Sequence, residues 1–214
     1  MVNKKITAVR YIAGQPIETS EALTGEEALQ IKINGRPYTI TMRTPGHDRI
    51  LAAGLLFTER IISHQGDITS FSEIPAAGGD HTLIVDIQVK EETTRGKNLF
   101  NRSIASSASC GVCGKIELCD LVSPEQPLYT SRKLNIQIIP HLLQQMLAKQ
   151  LTFEKTGGSH AAAAFSIGGE LFSIKEDIGR HNAVDKVIGD LLLRNLLPQT
   201  DILFICGRVS YEIV

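Results

Sequence analysis

Val184, Val187, Ile188, Leu191 and Leu192 fall at the i, i+3, i+4, i+7, i+8 spacing of a helix with one core-facing stripe. Short apolar runs flank that stripe. Residues 161–167 and 171–174 read as a hairpin around Gly168-Gly169, and residues 202–206 read as a buried strand. Asp177-Ile-Gly-Arg180 starts the helix and Pro198 ends it. Gly207-Arg208 then turns into a further predicted helix. The order strand, strand, helix, strand, helix predicts an α/β layer with a parallel pairing around the helix at 181–195.

The first half is patterned differently. Leu29, Ile31 and Ile33 alternate with polar residues, Asn34-Gly35 supplies a turn, and Tyr38, Ile40 and Met42 alternate again. This predicts a hairpin over 29–42, with Pro37 placing the returning strand at a sheet edge. Thr44-Pro-Gly-His-Asp48 reads as a turn into a helix over 50–62, with Leu51, Leu55, Leu56 and Ile62 on its apolar face. Residues 63–80 read as loop, and Leu83, Val85, Ile87 and Val89 as a strand. Pro140 opens another helix, with Leu142, Leu143, Met146 and Leu147 on one side. The expected class is α/β (α+β). A C-terminal half, 131–214, holds a mixed sheet flanked by helices. A smaller β-rich N-terminal subdomain, 1–130, ends in a mobile loop over about 91–116.

Composition excludes some functions. Net charge is −1 with 22 Lys and Arg against 23 Asp and Glu, so no basic face for a nucleic-acid backbone is expected. No apolar run approaches the length needed to cross a bilayer. The start, Met1-Val-Asn-Lys-Lys5, has no apolar segment behind its lysines. A cytoplasmic protein without a membrane partner is expected.

Three of the four cysteines, Cys110, Cys113 and Cys119, lie close together, and the fourth is Cys206. Cys110-Gly-Val-Cys113 follows a serine-rich stretch rather than a buried strand, which argues against a thioredoxin-type redox pair. Zinc usually needs four ligands, and one pair plus Cys119 falls short, although a site with three cysteines and a histidine stays open. Inert thiols are a further alternative, but glycines and serines give this pair little apolar cover. Carriage of a sulfane sulfur on an exposed thiolate is the remaining use, with Lys115 placed to lower a thiol pKa.

Two junctions share one design: Gly179-Arg180-His181 and Gly207-Arg208-Val-Ser210 each lead from a strand toward a predicted helix. Helix starts present free N–H groups and arginine adds a forked donor, so paired starts predict an anion crevice at the strand ends. Gly157, Gly158 and His160 border it, and Asn182, Asp185 and Lys186 crowd the first turns of the helix. The plain alternative is a solvated helix start with Asp177 as its cap.

Several segments together resemble the FdhD family, the formate dehydrogenase accessory sulfurtransferases. They are Ser107-Ala-Ser-Cys110-Gly-Val-Cys113-Gly-Lys115, Thr156-Gly-Gly-Ser-His160, Glu176-Asp-Ile-Gly-Arg-His-Asn-Ala-Val-Asp-Lys186 and Gly207-Arg-Val-Ser-Tyr-Glu-Ile-Val214, with Thr44-Pro-Gly-His-Asp48 and Leu55-Leu-Phe-Thr-Glu59. The resemblance implies a homodimer with a cytidine-deaminase-like fold. It implies that Cys110 takes a persulfide sulfur from a cysteine desulfurase, with Cys113 assisting. The sulfur then passes to the molybdenum (or tungsten) bis-molybdopterin guanine dinucleotide before that cofactor enters formate dehydrogenase. Gly157, Gly158, His160, Gly179, Arg180, His181, Asn182, Asp185, Lys186, Gly207, Arg208 and Ser210 would hold the dinucleotide, and no residue would hold a resident metal.

Two positions depart from the family pattern, which has serine at Cys206 and glycine at Arg60. The family also continues past the equivalent of Val214, so the chain is expected to be truncated there. A zinc deaminase on a similar fold would need His-x-Glu and Pro-Cys-x-x-Cys. His181-Asn-Ala183 and Gly207-Arg-Val-Ser210 lack the glutamate and both cysteines. A non-catalytic zinc or interaction module is the other alternative.

Overall fold

A computed structural model describes residues 3–75, 83–95, 132–210 and 213. They form a mixed α+β structure with three sheets and five helices among the described residues. A hairpin of β1 (Asn3–Ile12) and β2 (Gln15–Thr24) stands as its own two-stranded sheet. The second sheet has the order β4-β3-β6-β5, built from β3 (Glu27–Ile33), β4 (Arg36–Arg43), β5 (Ile68–Pro75) and β6 (Leu83–Val89). The third has the order β8-β7-β9, from β7 (His160–Phe165), β8 (Leu171–Asp177) and β9 (Ile202–Ile205). The helices are α1 (Asp48–Thr58), α2 (Glu91–Thr94), α3 (Ile139–Leu147), α4 (Leu151–Thr156) and α5 (Arg180–Leu193). None is long and apolar enough to cross a membrane.

The predicted hairpin over 29–42 is β3–β4, with β4 at the sheet edge where Pro37 belongs. Its turn residues Asn34 and Gly35 take φ of 50° and 77°, the left-handed pair a tight hairpin turn requires. Asn34 also accepts the N–H of Val89 at 2.8 Å and donates to the Val89 carbonyl at 3.1 Å. This side chain therefore docks the turn against β6, which runs parallel to β3. Leu29, Ile31, Ile33, Val85 and Ile87 pack under Leu51, Ala52, Ala53 and Leu56 of α1.

β7 is buried on both faces, and its period of two divides it cleanly. Ala162 and Ala164 face Val184, Val187 and Leu191 of α5, whereas Ala161, Ala163 and Phe165 face Leu142 and Met146 of α3. Four consecutive alanines keep both helices close to the sheet. α5 also packs on α1, so nine of its residues from Asn182 to Leu192 are buried. At the crossing, a Cβ on Gly189 would lie 1.9 Å from the Ile50 carbonyl oxygen, and one on Gly54 would lie 1.8 Å from that of Asp185.

The structure corrects several expectations. β8 and β9 run parallel to each other, but β7 lies between them and pairs antiparallel with both. The crossover through α5 therefore skips one strand. Residues 63–80 are not all loop: β5 is a largely exposed edge strand whose Ser and Glu positions hid its period. β9 is half-exposed rather than buried, because it is an edge strand among the described residues. Residues 206–210 are not helical, so only Gly179-Arg180 starts a described helix. Leu143 and Leu147 face outward at 40% and 53% exposure, since α3 offers the sheet only Leu142 and Met146. Glu91–Thr94 forms one helical turn within the predicted loop. Residues 96–116 of that loop and the domain boundary at 130/131 lie outside the described residues, as do Cys110, Cys113 and Cys119. Arg60 stands at φ 58°, which explains why glycine suits that position.

Candidate functional site

Because β7 is antiparallel to both neighbours, its first residue meets the last residues of β8 and β9 at one end of the strands. His160 is the register partner of Asp177, and the Cys206 N–H donates to the Ala161 carbonyl at 3.0 Å. His160 Nδ1 lies 3.0 Å from the Cys206 carbonyl oxygen. That oxygen only accepts, so Nδ1 carries the hydrogen. The Cys206 thiol accepts the Ala161 N–H at 2.9 Å.

Gly207 follows at this end of the sheet. At φ 151° it permits a backbone other residues rarely take, and a Cβ there would lie 3.3 Å from His160 Nδ1 and 4.0 Å from the Arg180 Cβ. His181 Nε2 lies 3.0 Å from Ser210 Oγ. His160, Arg180, His181, Gly207 and Ser210 are therefore neighbours at this end of the sheet, and the second Gly-Arg junction begins no described helix. Burial, then the neighbouring Arg180 charge, lowers the His181 pKa, leaving its imidazole neutral near pH 7. Arg208 is exposed. Gly157 ends α4 in the left-handed region at φ 63°. Gly158 sits against Thr24 of β2, whose hydroxyl bonds that of Thr156 at 2.7 Å.

The other predicted ligands are placed inside the fold. Lys186 is 1% exposed and its Nζ lies 2.6 Å from Asp177 Oδ2, with Asp177 fully buried. Lys186 also donates to the Thr44 carbonyl at 2.8 Å. Asn182 donates to Asp177 Oδ1 at 3.1 Å and to the Met42 carbonyl at 2.8 Å. The Thr44 N–H reaches Asp177 Oδ2 at 3.1 Å, and its hydroxyl accepts the Ile178 N–H at 2.9 Å. The helix start is therefore not solvated, and Asp177 is the centre of a buried network rather than a surface cap. Sequence reading missed Thr44, because Thr44-Pro-Gly-His-Asp48 carries only a turn signal locally.

Asp185 accepts the Thr58 hydroxyl at 2.9 Å. Burial pushes its carboxyl up to about 7, with Glu59 and Asp177 adding to the rise and the Thr58 hydrogen bond opposing it. The unfolded chain releases this proton near the ordinary value of 3.8. Between those two values the folded state holds a proton the unfolded state has lost, so stability falls as pH rises through the window. Each pH unit of separation is worth about 1.4 kcal/mol. Asp185→Asn is expected to flatten the dependence of the urea midpoint on pH between 5 and 8, and to stabilise the protein at pH 8. Parallel profiles for the two proteins would show the carboxyl to be ionised throughout.

Among the described residues no group of three or more metal-ligating side chains is assembled. The fold is that of a mixed α+β protein in which His160, Arg180 and His181 lie together where the strands of the third sheet end. The chain belongs to the FdhD/NarQ family, whose model matches residues 24–214. It is 39% identical to the sulfur carrier protein FdhD of Mycolicibacterium paratuberculosis, over 99% of this chain and 80% of that protein. It is 35% identical to the FdhD of Sulfolobus acidocaldarius, over 99% of this chain and 78% of that protein. The fold matches a crystal structure from Desulfotalea psychrophila, assigned as a formate dehydrogenase accessory protein. That match has a TM-score of 0.75 at 21% identity and covers 100% of this chain and 78% of the other.

Proposed function

We propose that this protein is a cytoplasmic sulfur carrier for the maturation of formate dehydrogenase, a sulfurtransferase working through a cysteine persulfide. The supporting observation is near full-length similarity to proteins named sulfur carrier protein FdhD, in a chain that holds Cys110-Gly-Val-Cys113. The Cys110 thiolate attacks the outer sulfur of a cysteine desulfurase persulfide. The donor sulfur–sulfur bond breaks, the desulfurase cysteine leaves as thiolate, and Cys110 holds the persulfide. Attack of the Cys113 thiolate on the inner sulfur then closes a Cys110–Cys113 disulfide and releases the outer sulfur as hydrosulfide. That disulfide formation supplies the two electrons the sulfane sulfur needs.

The recipient is the molybdenum (or tungsten) bis-molybdopterin guanine dinucleotide, carried as substrate before its insertion into formate dehydrogenase. Its pyrophosphate is the anion we assign to the Arg180 and His181 crevice, in a C-terminal half of cytidine-deaminase-like design within a homodimer. Gly207 lies against His160 and Arg180, and the exposed Arg208 that follows it is assigned to the same anion.

Incubation with a desulfurase and cysteine is expected to add one reducible sulfur mass to the Cys110 peptide. Cys110→Ala is expected to abolish formate dehydrogenase activity in a strain relying on this gene while leaving the protein folded. Retention of activity by that variant would move the carrier role off Cys110.

A further inference from the structure

Thr44 lies on the loop between β4 and α1, 3% exposed and far in sequence from the crevice. All three of its polar backbone and side-chain groups reach the opposite half of the chain. Its N–H goes to Asp177, its hydroxyl takes the Ile178 N–H, and its carbonyl takes the Lys186 ammonium. The residues so held flank the turn from β8 into α5. Gly179, extended at φ −95° and ψ 123°, separates this anchor from Arg180. The Gly179 N–H is itself tied to Asp177 Oδ1 at 2.9 Å. No hydrogen bond of Thr44 goes to Arg180, His181 or Ser210, so any effect it has on the crevice passes through the turn.

We propose that Thr44 is a positioning residue for the anion crevice: by holding Ile178, Asp177 and Lys186 at once, it fixes where Gly179 turns and so where Arg180 and His181 face a bound pyrophosphate. This rests on the crevice assigned under the proposed function. The Ile178 N–H has no regular strand or helix acceptor and relies on a hydroxyl from another element. A misplacement of about 1 Å can cost a positioned reacting group about a hundredfold in rate even when the mutation lies far from it, so an anchor two residues from the arginine matters more than its distance from the ligand suggests. The motif Thr44-Pro-Gly-His-Asp48 thereby belongs to the site without touching it.

The experiment is calorimetric titration of GDP, a guanine nucleotide with a pyrophosphate, into the full chain. Thr44→Val keeps the shape but removes the acceptor, and is expected to weaken GDP at least about tenfold, whereas Thr44→Ser restores affinity to within about twofold. Thr44→Ala replaces the valine variant if that yields no folded protein. Leu29→Val, a destabilised variant of the N-terminal core, serves as control and is expected to bind GDP like the parent at a comparable loss of Tm. Wild-type affinity in Thr44→Val, with Arg180→Ala weakened, overturns the positioning role and leaves the crevice standing. Unchanged affinity in Arg180→Ala overturns the crevice and this proposal with it. An equal loss in Leu29→Val, or no recovery with serine, reduces Thr44 to a general contributor to stability.

Discussion

Gly189→Ala is expected to prevent stable folding or to cost at least about 3 kcal/mol of unfolding free energy, although alanine is the better helix former. Helix propensity alone favours the change by about 1 kcal/mol. Against it, the new Cβ would lie 1.9 Å from the Ile50 carbonyl oxygen and 2.8 Å from the Gly54 nitrogen, both main-chain atoms of α1. Neither can rotate aside, so the helices must separate, and α1 is packed on the four-stranded sheet while α5 is packed on β7 and β8. Overpacking of a side chain typically costs 1–3 kcal/mol, and a clash of two backbones has fewer ways to relax. Gly54→Ala meets the Asp185 carbonyl from the other side and is expected to behave alike. Gly66→Ala is the control: its Cβ would find only the His64 Nδ1 atom, at 4.0 Å, and a change within about 0.5 kcal/mol is expected. Urea unfolding of the three variants checks this, and a Gly189→Ala protein as stable as the parent would mean that the crossing is wider than described.

The second large effect is expected from Lys186→Met, at about 3–5 kcal/mol of destabilisation. Methionine fills the ammonium's path with similar bulk, but it leaves the Asp177 carboxylate in a fully buried site. Three N–H donors remain on that carboxylate, from Thr44, Gly179 and Asn182, and they do not replace a full positive charge at 2.6 Å. Asp177→Asn combined with Lys186→Met is expected to recover part of the loss, because the uncompensated charge disappears with its partner. A double-mutant cycle by denaturant unfolding measures the coupling. Strict additivity of the two single changes would show that the two groups do not interact.

The motif Glu176-Asp-Ile-Gly-Arg-His-Asn-Ala-Val-Asp-Lys186 shows how far local pattern carries. Its glycine and arginine do start a helix, and the stripe from Val184 to Leu192 does face a core. The same pattern assigned Asn182, Asp185 and Lys186 to a polar, ligand-facing turn, and there the tertiary fold intervened. α5 is covered by α1 as well as by the sheet, so its polar face is as enclosed as its apolar one. A polar residue at a helix start carries no local mark of a second helix crossing over it.

The β1–β2 hairpin and β5 escaped sequence reading for a related reason. Their residues are largely exposed, so neither leaves the alternation that one-sided burial imposes on a strand such as β3 or β6.

Sequence by itself determined the element types wherever one face is buried, the tight turn at Asn34-Gly35, and the resemblance carried by the Cys110-Gly-Val-Cys113 and Gly179-Arg180 segments. These features are written in spacings of a few residues, where a side chain's direction follows directly from the backbone period. Only the tertiary structure decided that β7 lies between β8 and β9, that two glycines let α1 and α5 meet backbone to backbone, and that Lys186 pairs with Asp177 under Thr44. Those outcomes depend on contacts between distant segments, 142 residues apart for Lys186 and Thr44, and no local period records which buried charge will find which partner.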